Sequence, residues 1–515
     1  MSKNGRVHNV LRNASYGVLY KLMLTIVPFF MRTVMIYSLG IEYVGLNGLF
    51  SSVLQILNLA ELGIASAMNF AMYKPIADDD DKKICAILAL YKKYYFYIGW
   101  VVLGIGLVLV PFLPNLINGE VPSDINVYTL YSFYLVPNVL SYWLFSYRCS
   151  LLEAHQRNDI INKINLLLES VKFMLQFAVL IIYRNYYAYI MIQFLAQVVF
   201  QFILNVVVKR TYPAYKAQGE LSKQDKAVID QRVKDIITAK LGGVILNSSD
   251  TVVISAFLGL SVLAMYQNYY FLISAVIGFI GMAMSGAMAS VGNSIVTESR
   301  EKVYTDFKSV TFMVSWIVCV CTCCFFCLFQ PFMEIWVGKD LVMHFSMVIF
   351  LCFYFFLFEF NQLINIYKDA AGLWHEDKIR PLVVSLSNLG LNLLLVQFIG
   401  IYGVVLSTIG SMLLIGMPWL LHNVFKHLFK RSPWEYVRRL VMYAVLAAGC
   451  CALTHFACTL FEFSRLLNLF ARLAVAVSVP SMIYWGLFSK TNEYEKTMEI
   501  VKKVLNPILK KVGVR

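Results

Sequence analysis

Apolar stretches of about twenty residues recur along the whole chain, separated by short polar segments. About twenty residues is the length an α-helix needs to cross the hydrocarbon of a bilayer. Inside that hydrocarbon the backbone must satisfy its own hydrogen bonds, so such a chain folds as a bundle of spanning helices. The pattern predicts helices near 14–39, 43–68, 91–113, 127–150, 160–183, 187–208, 236–258, 263–290, 309–330, 343–367, 380–398, 402–422, 436–458 and 464–488, fourteen in all. The fold class expected is an all-α polytopic membrane protein. Composition agrees: 59% of residues are hydrophobic and 14% charged, against about 25% charged in a soluble domain.

The net charge of +14 would suit a nucleic-acid binder, but its placement gives a different reading. Alternate loops, with the helix ends beside them and both termini, hold 37 of the 44 Lys and Arg; the opposite loops hold only Arg184, Lys339 and Arg465. Cytoplasmic loops collect Lys and Arg, so both termini are expected in the cytoplasm and no nucleic-acid partner is implied. The first apolar stretch is too long for a cleaved leader and lacks a small-residue cleavage site. The outer loops are short, the longest being "PNLINGEVPSDIN" (114–126), which leaves no room for a folded external domain. Five of the eleven cysteines crowd into "CVCTCCFFC" (319–327) without a histidine. Buried in a bilayer, they read as small apolar residues and not as a metal site.

The longest polar interruption, 209–235, divides the chain. Residues 1–208 form an N-lobe of six helices, 209–235 a cytoplasmic connector and 236–425 a C-lobe of six helices; 426–515 supply a basic linker, a hairpin of two helices and a cytoplasmic tail. The lobes read as a repeat. "SLGIEYVG" (38–45) matches "FLGLSVLA" (257–264) at an offset of 219, and "AHQRNDII" (154–161) matches "GLWHEDKI" (372–379) at 218. Six helices per copy keep the orientation, as in parallel-repeat transporters, whose substrate site lies between the lobes.

Positions eleven apart on a helix return to within about 20° of one face. Lys21 and Arg32 have that spacing in the first helix, with Thr25 and Pro28 on the same stripe; Pro28 is the expected hinge. Asn47, Asn58 and Asn69 repeat it in the second helix, with Glu61 close to that stripe, and the seventh carries Lys240, Asn247 and Thr251 on one face with Asp250 beside it. Charges at bilayer depth usually face a protein interior or a watery cavity, although Lys21 is near enough to the surface to snorkel. Lys21, Arg32, Asn47, Asn58, Lys240 and Asn247 are therefore candidates for binding a polar head group. Glu61, Asp250 and Glu359 are candidates for coupling to protons or sodium. Glu169 and Lys172, three apart, can pair with each other.

Enzyme signatures are missing: there is no G-x-x-x-x-G-K-[ST] phosphate loop and no H-E-x-x-H metal motif. No resident cofactor is expected. The "DDDD" at 78–81 precedes Lys82 and Lys83 and reads as a solvated helix start; "YKKYYFY" (91–97) reads as an interfacial aromatic belt.

Five segments stand out: "LAELGIASAMNFAMYKPIADDDDKKI" (59–84), "KLGGVILNSSDTVVISAFLGL" (240–260), "ASVGNSIVTES" (289–299), "AAGLWHEDKIRPLVVSLSNLGLNLLLVQFIGIYGVVLST" (370–408) and "SPWEY" after the twelfth helix. Together they resemble bacterial polysaccharide-biosynthesis flippases of the Wzx type, in the multidrug/oligosaccharidyl-lipid/polysaccharide exporter superfamily. The resemblance runs in order over about 10–440. It implies fourteen helices, two six-helix lobes around a central cavity, and alternating access. It also implies a substrate: an oligosaccharide on undecaprenyl pyrophosphate, crossing from the inner to the outer leaflet of a bacterial cell membrane for O-antigen, capsule or exopolysaccharide assembly. Related flippases hold the anionic head group with cavity cations, and by helix and face Lys21 and Arg32 are the equivalents here. Membrane lipids and other polysaccharide-assembly proteins are the implied partners. Three alternatives stay open: a cation-coupled multidrug exporter, which would favour an acidic cavity; a lipid II flippase of the same fold; and a membrane enzyme acting on lipid-linked sugars, which would want a larger outer loop.

Overall fold

The computed structural model describes residues 3–61, 63–119, 121–460 and 463–499, and of these all side chains except those of 3–16, 18, 60, 238–239, 247, 285–287 and 289. From residue 500 the expected tail lies outside the described residues. The described chain is helical throughout, with no strand, as hydrocarbon surroundings require. By contact density it divides into a first unit, Met1–Ala264, and a second, Met265–Arg515.

In the first unit the helices are α1 (Lys3–Ser38), α2 (Ile41–Leu57), α3 (Ile64–Ala77), α4 (Asp81–Leu109), α5 (Val127–Trp143), α6 (Cys149–Ala154), α7 (Asn158–Ile182), α8 (Tyr186–Thr211) and α9 (Lys223–Leu258). Helix α1 packs on α7, α7 on α8, α4 and α8 on α5, and α9 on α2 and α3. The second unit begins within α10 (Leu260–Thr297) and continues through α11 (Arg300–Trp336), α12 (Phe345–Ala370), α13 (Trp374–Asp377), α14 (Arg380–Ile399), α15 (Ile401–Ser411), α16 (Met417–Val424), α17 (Trp434–Thr459) and α18 (Arg465–Phe488). Here α11 is the central post, packed by α12, α17 and α18, while α14 lies along α15.

Among the described residues twelve helical segments are long and apolar enough to cross a membrane. The other two expected spans, 43–68 and 127–150, are present but broken. The first stops at Leu57, makes a 3-10 turn at Asn58–Ala60 and resumes as α3. The second stops at Trp143, turns at Ser146–Arg148 and resumes as α6. Side chains stabilise each break: Ser146 Oγ donates to the Ser141 carbonyl at 2.7 Å and accepts from Gln201 at 2.7 Å, and the first break carries Asn58 and Glu61. Apolar side chains such as Val108, Leu167, Met174, Leu394 and Val445 remain exposed, and on spanning helices these form the lipid-facing surface.

Close helix approach depends on one glycine in particular. A Cβ at Gly45 in α2 would lie 2.4 Å from the Leu260 carbonyl oxygen at the start of α10. Both partners are backbone, so neither can swing aside. Gly45→Ala is therefore expected to push the two segments apart and lower stability by about 1–3 kcal/mol, the usual overpacking cost. Thermal unfolding of the purified variant measures it; an unchanged midpoint would mean that this contact yields freely.

Candidate functional site

The first unit contains a polar seam between its second and fourth spans. The three asparagines spaced by eleven all turn toward α5 and α6. Asn47 accepts from Tyr134 at 2.8 Å, Asn58 exchanges two hydrogen bonds with Asn138 at 2.7 and 3.2 Å, and Asn69 donates to Glu153 at 2.5 Å. The stripe is thus a helix-to-helix seam of the first unit, each asparagine bonded to a neighbouring helix.

At the break after α2 the seam becomes a proton-bearing network. Glu61 accepts from Tyr95 and Tyr142, each at 2.8 Å, and Tyr91 donates to Tyr95 at 2.9 Å. The Tyr142 hydroxyl is also 2.8 Å from Asn58 Oδ1. One phenol proton thus faces two acceptors, Asn58 Oδ1 and Glu61 Oε2. Asn58 and Glu61 are brought together through Tyr142. Tyr91 and Tyr95 are buried here, not part of an interfacial belt, whereas Phe96 and Tyr97 are exposed as a belt requires. Sequence reading missed Tyr95, Asn138 and Tyr142 as partners. The available signal was polar side chains four apart, Tyr91 with Tyr95 and Asn138 with Tyr142.

Helix α1 runs through Pro28 without a break. Pro28 has no N–H to offer the Leu24 carbonyl, and the neighbouring Thr25 hydroxyl donates to the Lys21 carbonyl at 2.9 Å. Lys21 is exposed and Arg32 half-buried, about 16 Å apart along the axis. Arg32 lies in the electrostatic field of Tyr189 on α8, which stacks on Tyr186 at 5.9 Å. Tyr186 in turn meets Tyr134 at 3.2 Å, so Arg32 and Asn47 border one tyrosine cluster. Glu169 and Lys172 pair on α7 as expected.

On α9, Lys240 is exposed and reaches Ser66 of α3 at 3.3 Å, and Asp250 is half-buried. The side chain of Asn247 lies outside the described residues. The aspartate run behaves as a helix start: Asp80 caps α4 by accepting from the Lys83 N–H at 3.0 Å. Cys319, Cys323 and Cys327 are buried on α11, and Cys323 Sγ lies 3.7 Å from Cys451 Sγ on α17. Among the described residues no group of three or more His, Cys, Asp or Glu is arranged to hold a metal ion. Glu359, in α12 of the second unit, is fully buried.

The sequence matches no protein-family profile, and no curated protein matches it. Solved structures do match. The lipid II flippase MurJ in an inward closed conformation aligns with a TM-score of 0.62 at 14% identity, over 91% of this chain and 99% of that one. An outward-facing multidrug resistance MATE family transporter of the MOP superfamily aligns at 0.50 and 15% identity, over 82% and 95%. A MATE protein in complex with MaL6 aligns at 0.51 and 14%, over 81% and 94%. At these identities the likeness shows the fold. This is a multi-pass membrane protein with the fold of MOP-superfamily transporters.

Proposed function

We propose that the protein is a flippase that moves an undecaprenyl-pyrophosphate-linked oligosaccharide from the cytoplasmic to the outer leaflet of a bacterial cell membrane by alternating access, for surface-polysaccharide assembly. The observation that carries this reading is the fold shared with a lipid II flippase along almost the whole of both chains, joined to a half-buried arginine on α1. A diphosphate is an anion that an arginine fork binds with paired, charge-assisted hydrogen bonds. Lys21 and Lys240 add positive charge, and Asn47, Asn58 and Asn247 are the amides assigned to sugar hydroxyls, which for Asn47 and Asn58 requires opening their bonds to Tyr134 and Asn138 during the cycle. Glu61, Asp250 and Glu359 are the groups through which a proton or sodium gradient would drive the cycle. Crossing requires no covalent change, so no enzyme chemistry is assigned.

The same likeness supports one alternative cargo, lipid II itself. The test uses cells lacking the protein and asks in which leaflet each lipid-linked precursor resides. The expected result is an undecaprenyl-linked oligosaccharide held facing the cytoplasm, with surface polymer lost and restored by the intact gene. Retention of lipid II instead would select the alternative cargo. Normal outward delivery with unpolymerised units waiting outside would point to an enzyme acting after translocation.

A further inference from the structure

The acidic side chains of the spans differ sharply in their surroundings. Glu61 accepts from two phenols and Glu169 pairs with Lys172. Glu359 sits near the middle of α12 with no exposed surface, on a helix whose Phe355, Phe356, Phe360 and Leu363 are also buried. Among the described residues neither of its carboxyl oxygens has a hydrogen-bond partner. An ionised carboxylate in that position would be an unpaired charge in an apolar interior, the costliest arrangement a protein can bury. A neutral acid leaves only unmet hydrogen-bonding capacity.

We propose that Glu359 carries a proton in this conformation and is the site at which the second unit takes up and releases a coupling proton. The proposal rests on the transport reading above and names its coupling ion.

Among the described residues no charged group of the elements packed against α12 bonds to Glu359: Arg380 of α14 reaches Asn365 of α12 but is held by Asp377, and from α10 Tyr270 meets Tyr354 of α12 at 3.5 Å. From α11 the titratable group in electrostatic range is the Cys321 thiol. From α15 it is Tyr402, whose hydroxyl bonds to Ser346, and from α16 it is His422, which is exposed. On α17, Tyr443 stacks on Phe360 at 6.4 Å and His455 packs between Phe326 and Phe345. None of these bonds to Glu359. The same surroundings favour a proton over sodium, because a hard cation needs several oxygen ligands and among the described residues no hydroxyl or amide is hydrogen-bonded to the carboxyl. A proton needs only the carboxyl. Its release then requires a conformation in which α12 meets water or a cation, and that links protonation to the transport cycle.

The full chain in lipid nanodiscs tests the first half. Infrared spectra at neutral pH should show the carbonyl stretch of a protonated carboxylic acid that is absent from Glu359→Gln. A band unchanged by the substitution overturns the proposal. If Glu359→Gln fails to fold, Glu359→Leu, which leaves no polar group buried, serves the same comparison. The second half uses proteoliposomes with an undecaprenyl-pyrophosphate-linked oligosaccharide as probe. A proton gradient should accelerate the wild type, and the variant's rate should be the same with and without the gradient. Undiminished acceleration in the variant overturns the coupling role, and acceleration by a sodium gradient that the variant loses overturns the choice of ion. A wild type that shows the Glu359 band yet does not move the probe would sink the substrate reading while supporting the proton site.

Discussion

Asp377→Ala is expected to destabilise the second unit by about 3–5 kcal/mol, the cost of removing one partner from a buried ion pair. Asp377 and Arg380 are both buried, between α12 and α14. Arg380 grips both carboxylate oxygens, Nε to Oδ1 at 2.6 Å and Nη2 to Oδ2 at 2.7 Å. Asn423 on α16 donates to the same carboxylate at 3.2 Å, and Lys368 at the end of α12 lies 3.3 Å from it. One carboxylate thus ties together α12, α14 and α16. Without it, among the described residues, Arg380 is left with Asn365, at 2.9 Å, and Lys368 with Asp369, also at 2.9 Å. A guanidinium would then be buried without a counter-charge. Thermal unfolding in detergent, read beside the yield of monodisperse protein, measures the effect. The double variant Asp377→Ala with Arg380→Met should recover much of the loss, because it removes the stranded charge along with its partner. If the single variant unfolds within about 1 kcal/mol of wild type, the cluster is as weak as a solvated surface pair and does not hold the helices together.

This cluster also shows what the sequence could and could not reveal. The match between "AHQRNDII" and "GLWHEDKI" aligns Asp159 with Asp377 at the offset of 218. Both aspartates are buried, and each is paired with an arginine, Arg157 at 3.1 Å in the first unit and Arg380 in the second. The repeat was legible because it lies in polar loops, where identity is not swamped by interchangeable apolar residues. The spans were legible from the length of their apolar windows. The breaks after Leu57 and Trp143 were not, since each holds only a few polar residues within a long apolar window, and much of what stabilises the turns comes from other helices: Asn138, Tyr95 and Tyr142 at the first and Gln201 at the second. The asparagine stripe at 47, 58 and 69 could be read from its spacing. Its partners Tyr134, Asn138 and Glu153 could not, because helical periodicity gives a residue's face and not the helix it will meet. Glu359 was visible as an acid with no local partner in sequence, and its partnerless burial is a property of packing.

Arg32→Ala is expected to cut transport at least tenfold while leaving the protein folded. Arg32 is half-buried on a helix that continues for six residues beyond it, and alanine is the best helix former, so α1 keeps its backbone ladder. The loss falls on binding. A hydrogen bond to a charged group contributes about 1.5–3 kcal/mol, and each 1.4 kcal/mol is about tenfold in affinity; removing one such bond to a diphosphate gives roughly tenfold to a hundredfold. Arg32→Lys separates charge from geometry. An ammonium keeps the positive charge but not the planar fork, so it should restore part of the rate and fall short of wild type. A purely structural role for Arg32 would instead lower the thermal midpoint of both variants in step with their activity. The readout is the initial rate of head-group crossing in proteoliposomes, normalised to reconstituted protein. If Arg32→Ala transports at the wild-type rate when present at the wild-type level, Arg32 does not touch the head group. The positive charge of α1 would then serve its placement in the membrane, and phosphate recognition would have to come from Lys240 or from another cation of the chain.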